Sequence, residues 1–380
     1  MNPAKRATFR RYGTSLLSVA LAAGLMLSGA SFPVQADAAE GPEGSALGSE
    51  LAEGEVLVSE ERCERNRSVG TITYVAGYGY SASAGQMDVI LAEEMGYFDA
   101  LCLDVEINAG GANGQQLVAS GRAQFTELGS ASDVMLAASN SENITAIATY
   151  GTTSPFSIFA QDSIESLSEL EGRRLGYYIN IIPMALAMLD AAGVDLSSIE
   201  LIKMTSYDPT VVPRGQIEAI VGYASNQPQT LRLKGFTFSE FFPAEFGLDG
   251  TYNVMEVNSE FLRDHREVAA DFMRASLRVL HHCLENETEC VNLVSDIAAE
   301  NNQGAAFPHE QQKVTWAVES EWVRGSDKPV GVHAPADWET EYDLVERYGN
   351  VTSLPPLETM MDSELVSSLY RDGELIWPGE

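Results

Sequence analysis

Apolar residues along the chain follow two rhythms. Short β-branched and aromatic runs at Thr71–Val75, Leu103–Ile107, Phe125–Leu128 and Ile144–Thr149 predict strands. Between them the spacing becomes helical. Met87, Ile90, Leu91 and Met95 share one face of a predicted helix over 86–95, and shorter helices are predicted over 113–120 and 132–139. This alternation predicts a mostly parallel sheet with helices on both faces, an α/β fold. The richest stretch runs from Met95 to Ala138. A helix ends at Gly96-Tyr97-Phe98, Gly110-Gly111 opens another, and Gly129-Ser130-Ala131-Ser132 opens a third. Each strand-to-helix junction leaves backbone N–H groups free at one sheet edge. Gly110-Gly111 lacks the spacing of a phosphate loop, so turn geometry accounts for it.

The rhythm breaks at Thr152-Thr153-Ser154-Pro155 and resumes in a second α/β unit. There the pattern predicts a helix over 166–171 capped by Ser166, strands over 174–177, 199–203 and 220–223, and a helix over 182–192 with Pro183 in its first turn. A second crossing falls near 247–254. From Ser259 onward the spacing is helical over 260–284, 291–300, 310–323, 337–348 and 363–370. The expected units are residues 67–153 with 250–380 as lobe one, carrying the C-terminal helices, and 154–249 as lobe two. Two lobes joined by two crossings make a hinged pair, with a ligand cleft at the carboxyl ends of the strands.

The first 36 residues read differently. Lys5, Arg6, Arg10 and Arg11 precede an apolar run from Leu16 to Leu27, and Val34-Gln35-Ala36 has the form of a cleavage site. This predicts a cleaved signal peptide and an exported protein. The residues around Arg10-Arg11 fit a twin-arginine signal poorly, and the absence of Cys after the apolar run argues against a lipoprotein. No later run is apolar enough to span a bilayer. Residues 37–66, acidic and rich in Gly and Ala, read as a linker or loosely attached arm.

Charge narrows the partners. The chain carries 23 Lys and Arg against 55 Asp and Glu, which argues against nucleic acid and anionic membranes. No Asp/Glu spacing marks a dedicated cation site. Four cysteines in an exported chain favour disulfides. Three pairings are open. Cys63 and Cys102 each precede a strand, and Cys283 and Cys290 flank one polar turn, so Cys63–Cys102 and Cys283–Cys290 are the expected pairs. His281-His282-Cys283 with Cys290 lacks the spacing of a structural zinc site; no metal and no cofactor are expected.

Several segments resemble a known family. Gly96-Tyr97-Phe98 followed by Leu103-Asp104-Val105-Glu106 is similar to the "GYF…GLDVE" signature of periplasmic substrate-binding proteins serving ABC importers of sulfonates, taurine, nitrate and thiamine pyrimidine precursors. Gly110-Gly111 with Leu117–Phe125 resembles its continuation. Ser154-Pro155-Phe156 with Leu167–Leu175 (LSELEGRRL) resembles the entry to its second lobe, and Pro213–Gly222 (PRGQIEAIVG) a later motif. Tyr223–Leu231 (YASNQPQTL) is similar to the "N-E-P" loop of the thiamine-precursor branch, and Phe246-Gly247-Leu248 with Tyr252 to its second crossing. Gln227 stands where that branch has Glu; an amide both donates and accepts, so the ligand's hydrogen-bond pattern differs there. The resemblance covers about residues 70–280. It implies a type II two-lobe fold and a monomeric solute-binding component that closes on a small molecule and docks on a membrane permease.

The loops facing the expected cleft are rich in tyrosine and poor in charge. The candidate ligand-binding residues are Tyr78, Tyr80, Ser81, Ser83, Gly129, Ser130, Ser132, Tyr177, Tyr178, Asn180, Asp208, Tyr223 and Asn226, with Tyr207 beside them. Tyr78, Tyr80, Tyr177 and Tyr223 are the stacking candidates; Ser130, Asn180, Asp208 and Asn226 supply polar contacts. A tyrosine offers a flat apolar face and one hydroxyl, which suits a heteroaromatic ring. No Lys or Arg lies in loops 78–84, 129–132, 177–183 or 223–228, and Arg214 reads as a solvated helix residue. A flat neutral or cationic ligand, such as a thiamine pyrimidine precursor, is therefore favoured over an alkylsulfonate, taurine or nitrate. Asp133 and Glu127 form no evident acid–base pair and read as structural. Catalysis is not expected. All five histidines lie at 265 or later, and neither a Ser/His/Asp nor a Cys/His set falls in the lobes. The related fungal pyrimidine-forming enzymes use a cysteine-rich iron motif and an active-site histidine that have no counterpart here. A ligand-sensing subunit docking on a receptor is the remaining alternative, and no fused receptor segment supports it.

Overall fold

Leu51 and residues 54–111, 113–140 and 143–379 are described in the computed structural model. The predicted signal segment, 1–36, and most of the predicted arm lie outside them. Where described, the arm is not loose. Helix α1 (Glu60–Ser68) starts at Ser59, whose hydroxyl accepts from the Arg62 N–H at 3.3 Å, and acidic residues fill its first turn. Cys63 is bonded to Cys102. Buried Arg62 forks onto Asp271, with Nε to Oδ2 at 2.9 Å and Nη2 to Oδ1 at 2.6 Å. A basic residue of this acidic segment thus anchors it to a carboxylate two hundred residues downstream.

Strands β1 (Thr71–Ala76), β2 (Asp104–Ala109), β3 (Phe125–Leu128) and β4 (Ile144–Gly151) alternate with helices α2 (Met87–Glu94), α3 (Tyr97–Ala100), α4 (Gly114–Ala119) and α5 (Ala131–Ala138). The chain then crosses and builds a second sheet from β5 (Phe156–Ala160), β6 (Arg174–Tyr177), β7 (Glu200–Lys203), β8 (Ala219–Tyr223) and β9 (Ser239–Phe241), with helices α6 (Pro183–Ala191) and α7 (Gln227–Leu233). It returns as β10 (Tyr252–Asn258) to the centre of the first sheet. The sheet orders are β2-β1-β3-β10-β4 and β7-β6-β8-β5-β9. Each has one reversed strand, β10 antiparallel to β3 and β4, and β5 antiparallel to β8 and β9. These are the strands that follow a crossing, where the chain changes lobe without a helical return. Gly250 lies against Ser154 where the crossings pass, and a Cβ there would stand 2.8 Å from that of Ser154.

Helices α8 (Ser259–Asp264), α9 (Arg266–Glu285), α10 (Glu287–Glu300) and α11 (His309–Arg324) follow. Phe272 of α9 stacks on Phe125 at 4.0 Å and on Phe98 at 5.1 Å, so these helices close the core of the first sheet. Cys283–Cys290 joins α9 to α10, which takes both thiols out of the metal arrangement considered above. Helix α12 (Glu339–Tyr348) packs between α5 and α6. Three expectations change. The helix expected over 260–284 is broken at His265, whose φ of −136° and ψ of 39° are not helical, into α8 and α9. Ser166–Glu171 holds only a 3₁₀ turn, Leu167–Leu170. The expected helix over 363–370 is a 3₁₀ turn at Ser367–Leu369 followed by a two-residue hairpin, because Asp372-Gly373 both take positive φ (54° and 85°) and turn the chain back.

Candidate functional site

In each sheet one strand sits between two parallel partners whose connections leave in opposite directions: β1 between β2 and β3, and β6 between β7 and β8. Such a switch point opens a crevice at the carboxyl ends of the strands. The loops there, 77–86 and 129–130 from the first lobe and 178–182 and 224–226 from the second, face one another around two compartments that share Tyr78, Tyr207, Tyr223 and Gln227.

The inner compartment has a volume of about 130 Å³. Tyr78, Ser130, Ser132 and Asp133 line it from the first lobe; Phe156, Tyr177, Tyr178, Asn180, Ile182, Tyr207 and Tyr223 line it from the second. Its rings hold one another. Tyr178 stacks on Tyr207 at 4.7 Å, and Phe156 meets Tyr223 edge-on at 5.0 Å. Two hydroxyls on this wall, Ser130 Oγ and Tyr178 Oη, are buried without a hydrogen-bond partner among the described residues. Ser132 is otherwise engaged: its N–H donates to Glu341 Oε2 at 2.8 Å and its hydroxyl bonds the same carboxylate. Asp133, read as structural from sequence, lines the compartment. Burial, with repulsion from Glu341, pushes its carboxyl up to about 6. Gly129 does not line the compartment but touches its far wall. A Cβ on Gly129 would fall 1.7 Å from Tyr223 Oη, so only a glycine lets the lobes approach this closely.

The outer compartment is larger, about 840 Å³, and more polar. Ser81, Ser83, Asp208 and Asn226 line it, together with Gln86, Ser225, Thr315 and Glu319, which sequence reading did not single out. Asp208 caps a 3₁₀ turn. Its Oδ1 accepts from the Thr210 N–H at 3.0 Å and hydroxyl at 2.8 Å, and these bonds hold its carboxyl below the usual range. Arg214 is exposed, with Nη1 4.0 Å from Asp208. Buried Glu319 of α11 joins the lobes: Oε1 accepts from the Ser225 hydroxyl at 2.7 Å, and Oε2 from the Ala84 N–H at 3.3 Å and the Tyr252 hydroxyl. Thr315 and Gln311, one and two turns earlier, donate to the carbonyls of Ser225 (3.0 Å) and Asn226 (3.3 Å). The spacing 311, 315, 319 is a legible polar stripe, but nothing local says what it faces.

Tyr80 is the candidate that the fold removes from the cleft. Its ring packs on the core of the first lobe and its N–H donates to Gln303 at 3.2 Å. Positive φ at Gly79, where a Cβ would collide with Gln303 and Phe307, turns Tyr78 and Tyr80 to different sides. Among the described residues no group of His, Cys, Asp and Glu is placed to hold a metal, and no helix is long and apolar enough to cross a membrane.

Residues 84–290 match the sequence profile of the family described as NMT1/THI5 like. A formylaminopyrimidine-binding protein from Halalkalibacterium halodurans is 27% identical over 261 residues, covering 66% of this chain and 77% of that protein. The riboflavin-binding protein RibY from Chloroflexus aurantiacus is 25% identical over 170 residues, covering 43% of this chain and 48% of that protein. The fold is that of the ligand-binding component of an ABC-type import system from Staphylococcus aureus, with a TM-score of 0.61 at 13% identity over 80% of this chain and 99% of that one. Solved structures sharing the fold include sulfonate-binding proteins of ABC-type systems and a desulfurization enzyme, the latter at a TM-score of 0.54 and 12% identity.

Proposed function

The chain belongs to the NMT1/THI5-like family of solute-binding folds, and we propose that it is an exported component of an ABC importer that captures an aminated single-ring heterocycle, of the thiamine pyrimidine-precursor type, in the inner compartment. The two buried unpartnered hydroxyls, Ser130 Oγ and Tyr178 Oη, carry this reading. A buried hydroxyl without a partner costs free energy, and a ligand able to bond it recovers that cost. Size supports one ring: a cavity of about 150 Å³ in another protein holds a benzene, and this one is about 130 Å³. Asp133 supplies an acceptor for an exocyclic amine, and Tyr177, Tyr178 and Tyr223 supply ring faces. The similarity to a formylaminopyrimidine-binding protein points the same way.

The lining opposes a small anion. It holds one carboxylate and no Lys or Arg, whereas sulfonate or nitrate calls for positive charge or a cluster of free N–H donors. It also opposes catalysis, having neither His nor Cys to pair with a hydroxyl. In the proposed cycle the protein is a monomer, the lobes rotate about 152–155 and 242–251, and the closed form docks on a permease. Ligand drives closure only by its differential affinity for that form. Thermal-shift and calorimetric titrations with 4-amino-5-hydroxymethyl-2-methylpyrimidine, its formylamino analogue, riboflavin, taurine, an alkylsulfonate and nitrate test the reading. The aminopyrimidines raise the melting temperature; a response confined to the anions sinks it.

A further inference from the structure

A one-ring ligand fills the inner compartment and leaves the outer one, about 840 Å³, unused. Resting on the ring reading above, we propose that the outer compartment is a subsite for an uncharged, hydroxyl-bearing extension of the ligand, so that the preferred solute is a single aminated ring joined to a polyol or sugar-sized group.

Three observations carry this. The compartments share one wall of tyrosines, in which Tyr78 is 48% and Tyr207 58% exposed. The shared wall is therefore partly open to solvent, and a ligand spanning both compartments would run along it. Second, Gln86, 2% exposed, lines the outer compartment with its Oε1 unpartnered among the described residues. Its Nε2 donates to Glu127 Oε1 at 2.8 Å, which fixes the amide's orientation and leaves the oxygen as an acceptor awaiting an O–H or N–H. Third, the remaining lining asks for a group that both donates and accepts. Ser81 and the exposed Asn226 carboxamide offer donors as well as acceptors, and the Glu319 and Asp208 carboxylates only accept. Hydroxyls satisfy all of them.

A phosphate does not. The compartment holds three carboxylates, Asp208, Glu310 and Glu319, against Arg214 and Lys234, and Arg214 is 56% exposed beside Asp208. A dianion near Glu319 would meet a buried acceptor already committed to three donors.

Cytosine, cytidine and cytidine 5′-monophosphate are suitable probes: one aminated six-membered ring alone, with a sugar, and with a phosphorylated sugar. Calorimetry on the whole protein is expected to find cytidine at least tenfold tighter than cytosine, and the monophosphate at least tenfold weaker than cytidine. Gln86→Met, and separately the surface variant Asn226→Ala, each weaken cytidine more than cytosine and shrink that ratio. Equal affinity for cytosine and cytidine, or a monophosphate as tight as the nucleoside, overturns the subsite while leaving the ring reading intact. If the aminopyrimidines and cytosine all fail to bind, the ring reading has failed and takes the subsite with it.

Discussion

At the scale of single residues, the site is a matter of which polar atoms have been left without work. Ser130 and Ser132 are two positions apart at the start of α5 and look interchangeable in sequence. Ser132 bonds Glu341 twice, whereas Ser130 Oγ is buried and idle. Truncating them should therefore have opposite consequences. Ser130→Ala removes no internal bond, so the melting temperature should stay within about 2 °C while affinity for the aminopyrimidine falls about tenfold, the worth of one buried hydrogen bond. Ser132→Ala should mainly cost stability, because it leaves Glu341 short of a donor. Calorimetric affinity beside a thermal melt distinguishes the two. Asp133 adds a pH test. Its carboxyl is pushed up to about 6, and an exocyclic amine needs the ionised form as acceptor. Affinity should fall as pH drops from 7 through 6 to 5, and Asp133→Asn should be weaker at pH 7 and flat over the same range.

At the scale of elements, closure depends on a glycine at the mouth of α5. Gly129 does not have a positive φ, so alanine there is conformationally permitted, yet its Cβ would fall 1.7 Å from Tyr223 Oη and 3.0 Å from Cζ. Gly129→Ala should keep each lobe folded and hold them apart. Small-angle scattering should give a larger radius of gyration with ligand present, and affinity should drop at least tenfold. Tyr223→Phe, which removes the nearer atom, should restore part of both. The elements themselves were largely legible: Phe125–Leu128 and Arg174–Tyr177 coincide with predicted strands because short β-rich runs between turn residues leave little choice. What was not legible depended on distant partners. β5 and β10 are buried along their whole lengths and give no alternation to read. Helix α1 is anchored by Asp271, and Tyr80 is turned away by its neighbour Gly79. Most of the cleft was found from loop composition alone, but Gln86, Asp133 and Glu319 were missed: a carboxylate or amide on a helix announces neither burial nor a cavity.

At the scale of the whole molecule, acid is handled in two ways that predict opposite responses to pH. The chain has 55 acidic against 23 basic residues, most of the acid solvated, but Asp88, in the first turn of α2, and Glu127, in β3, are buried in the first lobe. Burial pushes Asp88 up to about 7 and Glu127 up to about 8. Asp88 is fully buried, with Oδ2 accepting from the Tyr150 hydroxyl at 3.2 Å. A carboxyl raised on folding binds its proton more tightly in the native than in the unfolded chain, so its contribution is complete below about 4 and is lost as pH rises through about 7. Each tenfold gain in proton affinity on folding is worth about 1.4 kcal/mol. The unliganded protein should accordingly melt several degrees lower at pH 8 than at pH 5, the reverse of a fold held by surface ion pairs. Asp88→Asn keeps an acceptor for Tyr150 and cannot ionise; it should flatten the decline between pH 4 and 7. Ligand affinity, set by Asp133, rises over part of the same interval. A melting series from pH 4.5 to 8, with and without aminopyrimidine, should therefore find the ligand-induced increment growing as the unliganded midpoint falls. An unliganded midpoint that climbs with pH, unaffected by Asp88→Asn, would rule out these buried acids as its source.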